Sequence, residues 1–413
     1  MKEGICMLKQ ATIDIIKSTV PALEVHGTDI TKLFYTRLFE THPELLNIFN
    51  HANQKQGKQQ TALANMVLAA AVHIDKLEAI IPAVVQVAHK HRSLGVKPEH
   101  YPVVGENLLL AIKEVLGNAA TDEILHAWKE AYGVIADAFI GIEAGMYKEA
   151  ENRKGGWKGF RPFIVAKKVP ESDVITSFYL RPEDGKELAG FEPGQYITIR
   201  LNIPGEKYTL NRQYSLSDRP GLDYYRISVK KEAGRDGEAE GIVSGYLHEN
   251  VEEGDVLDIS APAGDFVLDR SKRTPVVLIS GGVGLTPTIS MLNTIAEEMP
   301  EREVTFIHAA IHGGTHAMAE HVRQMKERLP HLQSYVCYER PREEDRKCGA
   351  FDREGLIEAG WLSELLSHAV RPDIYLCGPA PFMASVYRAL TGMNVPPAQI
   401  HYEYFGPSAG VLA

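Results

Sequence analysis

The sequence predicts a chain of three units in series: an all-α first third, an antiparallel β-barrel in the middle, and an α/β unit with a parallel sheet at the end. Three observations predict it. The 413 residues, 44% of them hydrophobic, are enough to fill two or three separate cores. Apolar residues recur with helical period from position 11 to about 148, and the pattern then changes to short strands across 160–259. Beyond about 274, strand-like apolar runs alternate with helical stretches.

Taken in order, Pro21, Pro43, Pro82 and Pro102 mark helix starts in the first unit, with short polar connections between them. Residues 149–159 carry charge, the pair Gly155-Gly156 and no periodicity, so a linker separates a first domain at 1–148 from the strand-rich region. Residues 174–180, 196–201 and 224–229 read as strands punctuated by Gly, Pro and Asp, which predicts a closed antiparallel barrel over 160–270. In the last domain, 271–413, strands at 275–280, 304–309 and 373–377 alternate with helices at 288–298, 318–329 and 382–391. That alternation is the pattern of a parallel sheet wrapped by helices.

Composition narrows the function. With a net charge of -10, both signs interspersed and no long basic run, the chain is not built for nucleic acid or an anionic membrane, so any anionic ligand must be held by local groups. Cys6, Cys337, Cys348 and Cys377 show neither metal-ligand spacing nor a disulfide framework, which fits a reducing compartment, read here as the cytoplasm. The first ten residues lack the apolar core of a signal peptide, and no run of about eighteen apolar residues could span a bilayer.

The candidate chemistry starts at Ala88-His89-Lys90-His91. At about 100° per residue, Ile81, Val84, Val87 and Ala88 share a helical face with His91, while His89 sits nearer its rim. Alone, such a histidine is more often a hydrogen-bonded core residue than a ligand. Three further polar groups break apolar faces. Glu143 projects onto the edge of the stripe Trp128, Ala131, Tyr132, Ile135, Phe139, Ile142 and Met146, where it must find a donor or reach solvent. Gln59 shares a face with Leu63, Met66 and Ala70, and Tyr35 lies among Ile30, Leu33, Phe34, Leu38 and Phe39. Together the four imply a cavity.

Further along, Gln195-Tyr196 follows Pro193-Gly194, and Arg212-Gln213-Tyr214-Ser215 comes next, a tetrapeptide that alone would be an ordinary strand. Gly241-Ile242-Val243-Ser244 fits a helix start, whose free N–H groups can meet phosphate or simply be capped. After the strand at 275–280, Gly281-Gly282-Val283-Gly284-Leu285-Thr286-Pro287 lets backbone approach a pyrophosphate at a positive helix end. It is not the full three-glycine dinucleotide fingerprint, and a tight turn needs glycine anyway. Cys377-Gly378-Pro379 comes after another strand, and Glu403-Tyr404-Phe405-Gly406-Pro407 stands near the C-terminal end. Cys377 by itself reads more commonly as a small buried residue at a strand end.

On these residues the first 150 positions resemble the globins, and the order Tyr35, Phe49, Gln59, Leu63, His91, Tyr101, Glu143 is similar to that of the bacterial flavohemoglobins, a likeness that extends over the whole chain. The resemblance implies that His91 is the proximal ligand of haem b iron, that Phe49 packs on the porphyrin, and that Leu63 crowds the iron. It implies that Tyr101 and Glu143 relay hydrogen bonds to the proximal ring, making it electron-rich, and that Tyr35, assisted by Gln59, donates to bound dioxygen. Lys90 matches a position that influences the redox centres, against its reading as an ordinary solvated lysine.

The rest of the chain resembles the ferredoxin-reductase family, which implies an FAD barrel and an NAD(P) domain. There Arg212 meets the pyrophosphate, Tyr196, Gln213, Tyr214 and Ser215 border the flavin, and Gly241, Val243 and Ser244 face phosphate. Gly282, Val283, Gly284, Thr286 and Pro287, with Cys377, Gly378 and Pro379, take the nicotinamide cofactor. Glu403 and Phe405 stand beside the flavin within the motif completed by Tyr404, Gly406 and Pro407. No basic cluster or well-placed acid after 304–309 distinguishes NADH from NADPH. The implied activity is that of a cytoplasmic, monomeric nitric oxide dioxygenase, passing electrons from NAD(P)H through FAD to haem and oxidising nitric oxide to nitrate with O2. The implied partners are those small molecules, with room for a lipid in the distal haem pocket, and neither nucleic acid nor integral membrane. Reduction of peroxides or of nitric oxide under low oxygen is the second reading. A gas sensor or carrier comes last, because the chain ends in a complete reductase and not in a signalling module.

Overall fold

Residues 8–234 and 240–406 are described by the computed structural model. The first unit contains helices α1 (Gln10–Ser18), α2 (Val20–Thr41), α3 (His51–Lys55), α4 (Lys58–Val72), α5 (Ile81–Leu94), α6 (His100–Leu116) and α7 (Asp122–Asn152). Pro21 and Pro82 stand at the second positions of α2 and α5, where a fixed φ suits the first turn and the missing N–H costs nothing. At the start of α7, the Thr121 side chain accepts the Ile124 N–H, with Asp122 and Glu123 against the positive dipole end. This helix continues to Asn152, past the expected stop near Lys148. Arg153 extends its last turn, bonding the Glu149 carbonyl through backbone at 3.0 Å and the Glu149 carboxylate through its guanidinium at 2.7 Å. The chain then turns at Gly155, whose φ is +71° and where a Cβ would lie 2.5 Å from the Leu188 backbone, so only glycine fits.

The middle unit is a six-stranded antiparallel barrel of β1 (Phe160–Pro170), β2 (Ile175–Pro182), β3 (Tyr196–Leu201), β4 (Leu210–Ser215), β5 (Tyr225–Lys230) and β6 (Val256–Ser260), with helix α8 (Ile242–Asn250) inserted before β6. The order is β4-β3-β6-β1-β2-β5, and a Leu216–Ile227 bridge closes it. Phe163, Phe178, Ile197 and Tyr225 fill the interior, each contributing on the order of 2 kcal/mol by burial.

The last unit contains β7 (Val276–Gly281), α9 (Leu285–Glu298), β8 (Val304–Ala310), α10 (Ala319–Arg328), β9 (Leu332–Tyr338), α11 (Glu343–Cys348), β10 (Arg353–Glu354), α12 (Ala359–Leu366), β11 (Asp373–Cys377), α13 (Ala380–Gly392) and β12 (Ile400–Glu403). All its strand pairs are parallel, in the order β10-β9-β8-β7-β11-β12. Strand addition reverses at β7, between β8 and β11, and a ligand crevice belongs outside the carboxyl ends of the strands there. Separate apolar cores cover the two faces of this sheet. Among the described residues no helix is long and apolar enough to cross a membrane. Cys337 and Cys377 are buried and free, Cys348 is exposed and free, and Cys6 lies outside the described residues.

Candidate functional site

The histidine singled out on α5 is partnered on one side only. His91 Nδ1 lies 2.8 Å from Glu143 Oε1 and 3.2 Å from the Tyr101 hydroxyl, while Tyr101 donates to the same carboxylate oxygen at 2.6 Å. Glu143, on α7, is 2% exposed, so it is the buried group and not one that reaches out to solvent. A carboxylate oxygen accepts, so Nδ1 carries the ring proton and Nε2 the lone pair. Burial and the neighbouring Glu143 push the Tyr101 phenol up, which keeps it a donor. Tyr101 is in turn fixed by Tyr132, whose hydroxyl donates to the Tyr101 carbonyl at 2.6 Å. Nε2 of His91 meets no hydrogen-bond partner among the described residues, and the side chain is 32% exposed. An oriented imidazole with its second nitrogen unengaged, on an otherwise apolar face, fits the single protein ligand of a haem iron.

Tyr35 on α2, Gln59 on α4 and Phe49 come together elsewhere in the same domain. The Tyr35 phenol is buried and pushed up in pKa by that burial, with the Gln54 and Gln59 side chains as hydrogen-bond partners. Phe39 stacks on Tyr35 and Phe49 meets it edge-on, each at a centroid distance of 5.8 Å. Leu63, one turn beyond Gln59, stays half-buried against this cluster. Sequence reasoning misses Gln54: it lies on the five-residue α3, too short to show a period, and donates to Gln59 Oε1 at 2.9 Å.

The face of α5 turned away from Glu143 contacts the other two units. His89 Nδ1 accepts the Gly264 N–H at 3.3 Å, Arg92 donates to the carbonyls of Ala261 and Pro262, and Ser93 Oγ accepts from Gln213 at 2.8 Å. Lys90 is not a free surface lysine: its Nζ donates to the Gly406 carbonyl at 3.1 Å.

In the barrel, Tyr196 is buried with its hydroxyl unsatisfied; the nearby Ser93 hydroxyl is already committed to the Lys90 carbonyl and Gln213, and no bond of normal geometry joins the two. Arg212 donates to the Asn211 carbonyl at 2.8 Å and meets no carboxylate among the described residues, which fits a phosphate ligand. Tyr214 and Ser215 complete β4. Gly241 caps α8, with Val243 and Ser244 in its first turn, but the Ser244 hydroxyl is engaged with Gly241 O and Glu232 N.

At the sheet's switch point, Gly282, Val283 and Gly284 form a single turn leading into Thr286 and Pro287 of α9. A Cβ on Gly284 would sit 2.3 Å from the Cys377 carbonyl, so this loop presses on Cys377-Gly378-Pro379. Glu403 pairs in register with Cys377, is 7% exposed, and burial pushes its carboxyl up to about 7, against the lowering effect of Lys90. Tyr404 is half-buried, and Phe405 is 44% exposed. Pro407 lies outside the described residues.

Known proteins match the chain along its length. The globin family profile matches residues 32–139, the oxidoreductase FAD-binding domain 162–268 and the oxidoreductase NAD-binding domain 278–388. The flavohemoprotein of Bacillus thuringiensis subsp. konkukian (strain 97-27) is 59% identical over 405 residues, 98% of this chain and 100% of that one. That of Bacillus subtilis (strain 168) is 54% identical over 97% of this chain and 98% of its own. Among solved structures, the flavohemoglobin from Malassezia yamatoensis with bound FAD and heme superposes with a TM-score of 0.82 at 26% identity, covering 97% of this chain and 100% of that one. The FAD/NAD-binding domain of a nitric oxide dioxygenase from Vibrio cholerae O1 biovar El Tor gives 0.53 at 38% identity, covering 60% of this chain and 99% of its own.

Proposed function

This chain belongs to the flavohemoprotein family, and from that premise we propose that it is a nitric oxide dioxygenase, an NAD(P)H-dependent oxidoreductase that converts nitric oxide and O2 to nitrate. The observation that carries the reading is the buried Glu143 carboxylate on Nδ1 of His91. Its functional units are the helical domain for haem, whose last helix runs to Asn152, a connection reaching 159, then 160–270 for FAD and 271–413 for the nicotinamide cofactor. When bound, NADH or NADPH supplies a hydride, FAD divides it into single electrons, and haem b iron supplies the place where O2 is held and polarised.

His91 would hold the iron through Nε2, and Phe49 and Leu63 would line the haem. Glu143 accepts the Nδ1 proton's hydrogen bond, fixes the ring and raises the basicity of Nε2, and Tyr101 keeps the carboxylate in place. Tyr35, held in its donor form by burial, would offer its hydroxyl to a bound ligand carrying negative charge, with Gln59 as its polar neighbour. Tyr196, Arg212, Gln213, Tyr214, Ser215, Gly241, Val243 and Ser244 hold FAD. Gly282, Val283, Gly284, Thr286, Pro287, Cys377, Gly378 and Pro379 hold the nicotinamide cofactor. Glu403, Tyr404, Phe405 and Gly406, with Pro407 completing the motif in sequence, border the flavin, and Lys90 ties Gly406 to the haem helix. In this reading the protein works as a cytoplasmic monomer on small molecules, and the half-buried apolar side chains of Leu63, Met66 and Val67 support admission of a lipid chain. The test is stoichiometric: purified holoprotein mixed with NADH, O2 and nitric oxide forms nitrate as fast as nitric oxide disappears, and loss of nitric oxide without nitrate sinks the proposal.

A further inference from the structure

Strand β4 does more than carry the motif Arg212-Gln213-Tyr214-Ser215. Its alternate positions point to opposite sides. Leu210 and Tyr214 pack into the barrel, whereas Asn211, Gln213 and the preceding Thr209 all reach the first domain. Asn47 Oδ1 accepts both the Thr209 N–H at 2.9 Å and the Thr209 hydroxyl at 3.1 Å, and the Asn47 carbonyl accepts from Asn211 Nδ2 at 2.7 Å. Gln213 Nε2 donates to Ser93 Oγ at 2.8 Å. Asn211 is only 3% exposed, an amide placed where a barrel surface residue would otherwise meet water. One rigid strand, paired with β3 along its whole length, is therefore bonded to two separate segments of the globin. Asn47 stands two residues before Phe49, and Ser93 two residues after His91, so each clamp adjoins an expected haem contact on a different part of the domain.

We propose that Asn47 and Ser93 are positioning residues that align the haem site against the flavin strand for interdomain electron transfer. The inference rests on the functional reading above. In the step concerned, one electron leaves reduced flavin and converts ferric haem iron to ferrous, with no bond made or broken, so its rate depends on how the two units are held. A single hydrogen bond would leave the globin free to pivot about it. Bonds at both Asn47 and Ser93 remove that rotation, and they act on position more than on affinity, since a hydrogen bond between neutral groups exchanged with water adds little net free energy.

The test uses the holoprotein and the variants N47A, N47D and S93A. Expected in N47A are unchanged flavin reduction by NADH, unchanged CO binding to chemically reduced haem, and flavin-to-haem transfer slowed by about tenfold, as misplacement without loss of chemistry predicts. N47D keeps an oxygen for both Thr209 donors and restores most of the rate, and S93A independently slows transfer. Hydrogen exchange at the Thr209 amide speeds up in N47A and not in N47D. Transfer at the parental rate in both alanine variants, with the Thr209 amide exposed in N47A, overturns the proposal and leaves the functional reading intact. If N47A does not accumulate as folded protein, the S93A rate decides. A parent protein that passes no electrons from NADH to haem overturns the functional reading itself, and this inference with it.

Discussion

Glu143 and Glu403 are both buried carboxylates, 2% and 7% exposed, one on the expected haem ligand and the other at the expected flavin site, and they are held in different ways. Glu143 receives the Tyr101 hydroxyl at 2.6 Å and the His91 ring at 2.8 Å. Glu403 receives no hydrogen bond among the described residues. The cation near it, Lys90, spends its bond on the Gly406 carbonyl, and Asp265 adds a like charge. Burial then dominates and moves the Glu403 carboxyl up to about 7. Burial alone therefore does not set what an acidic side chain does in this molecule. Donors built around Glu143 make it a fixed part of its neighbour's chemistry, whereas their lack leaves Glu403 titrating near neutrality.

The largest test makes the first carboxylate neutral. Glu143→Gln keeps the shape and an acceptor for His91 but removes the charge, and nitric oxide turnover should fall by about 10- to 100-fold, the usual cost of losing an outer partner of a metal-bound histidine. The iron–histidine stretching frequency, read by resonance Raman, should drop with it. Turnover and frequency both at parental values would show that the two carboxylates differ in surroundings but not in consequence.

Next in size is Tyr101→Phe, which removes one of the two donors and leaves His91 bonded to Glu143. Losing a buried hydrogen bond to a charged group costs about 1.5–3 kcal/mol of stability, measurable by urea unfolding, while turnover should change less than in Glu143→Gln. The two variants separate what the carboxylate does for the ring from what the tyrosine does for the carboxylate.

How much of this contrast was legible in the sequence depends on the spacing of particular residues. Helical period placed His91 and Glu143 on inward faces, because α5 and α7 are long enough to repeat it, yet the pattern left open whether Glu143 was buried or turned to solvent. Tertiary packing against Tyr101 decided that. Residues 196–201 and 373–377 gave clear strands, and β3 and β11 have those bounds. The eleven-residue β1 escaped notice because a register shift between Val165 and Lys167 breaks its alternation. Gln54 and Asn47 lie on a five-residue helix and a 3-10 turn, too short for any period, and their partners are fixed only by folding. For Lys90 the sequence left a role near the redox centres and a solvated side chain both open, because its acceptor is 316 positions away.

The smallest expected effect comes from Glu403→Gln, and it should appear in the pH dependence of stability. The folded carboxyl titrates near 7 and its ordinary value is 4.5. Below about 4.5 both folded and unfolded chains carry the proton, and Glu403 costs nothing. As pH rises from there toward 7, the unfolded chain releases its proton first, so stability is lost across that window and levels off above it. The glutamine variant has no proton to release. Its stability relative to the parent, from denaturant unfolding of the cofactor-free protein, should therefore increase between pH 4.5 and 7 and stay constant beyond. A difference that does not vary with pH would mean that Glu403 finds in solution the donors it lacks here, and the distinction between the two carboxylates would vanish.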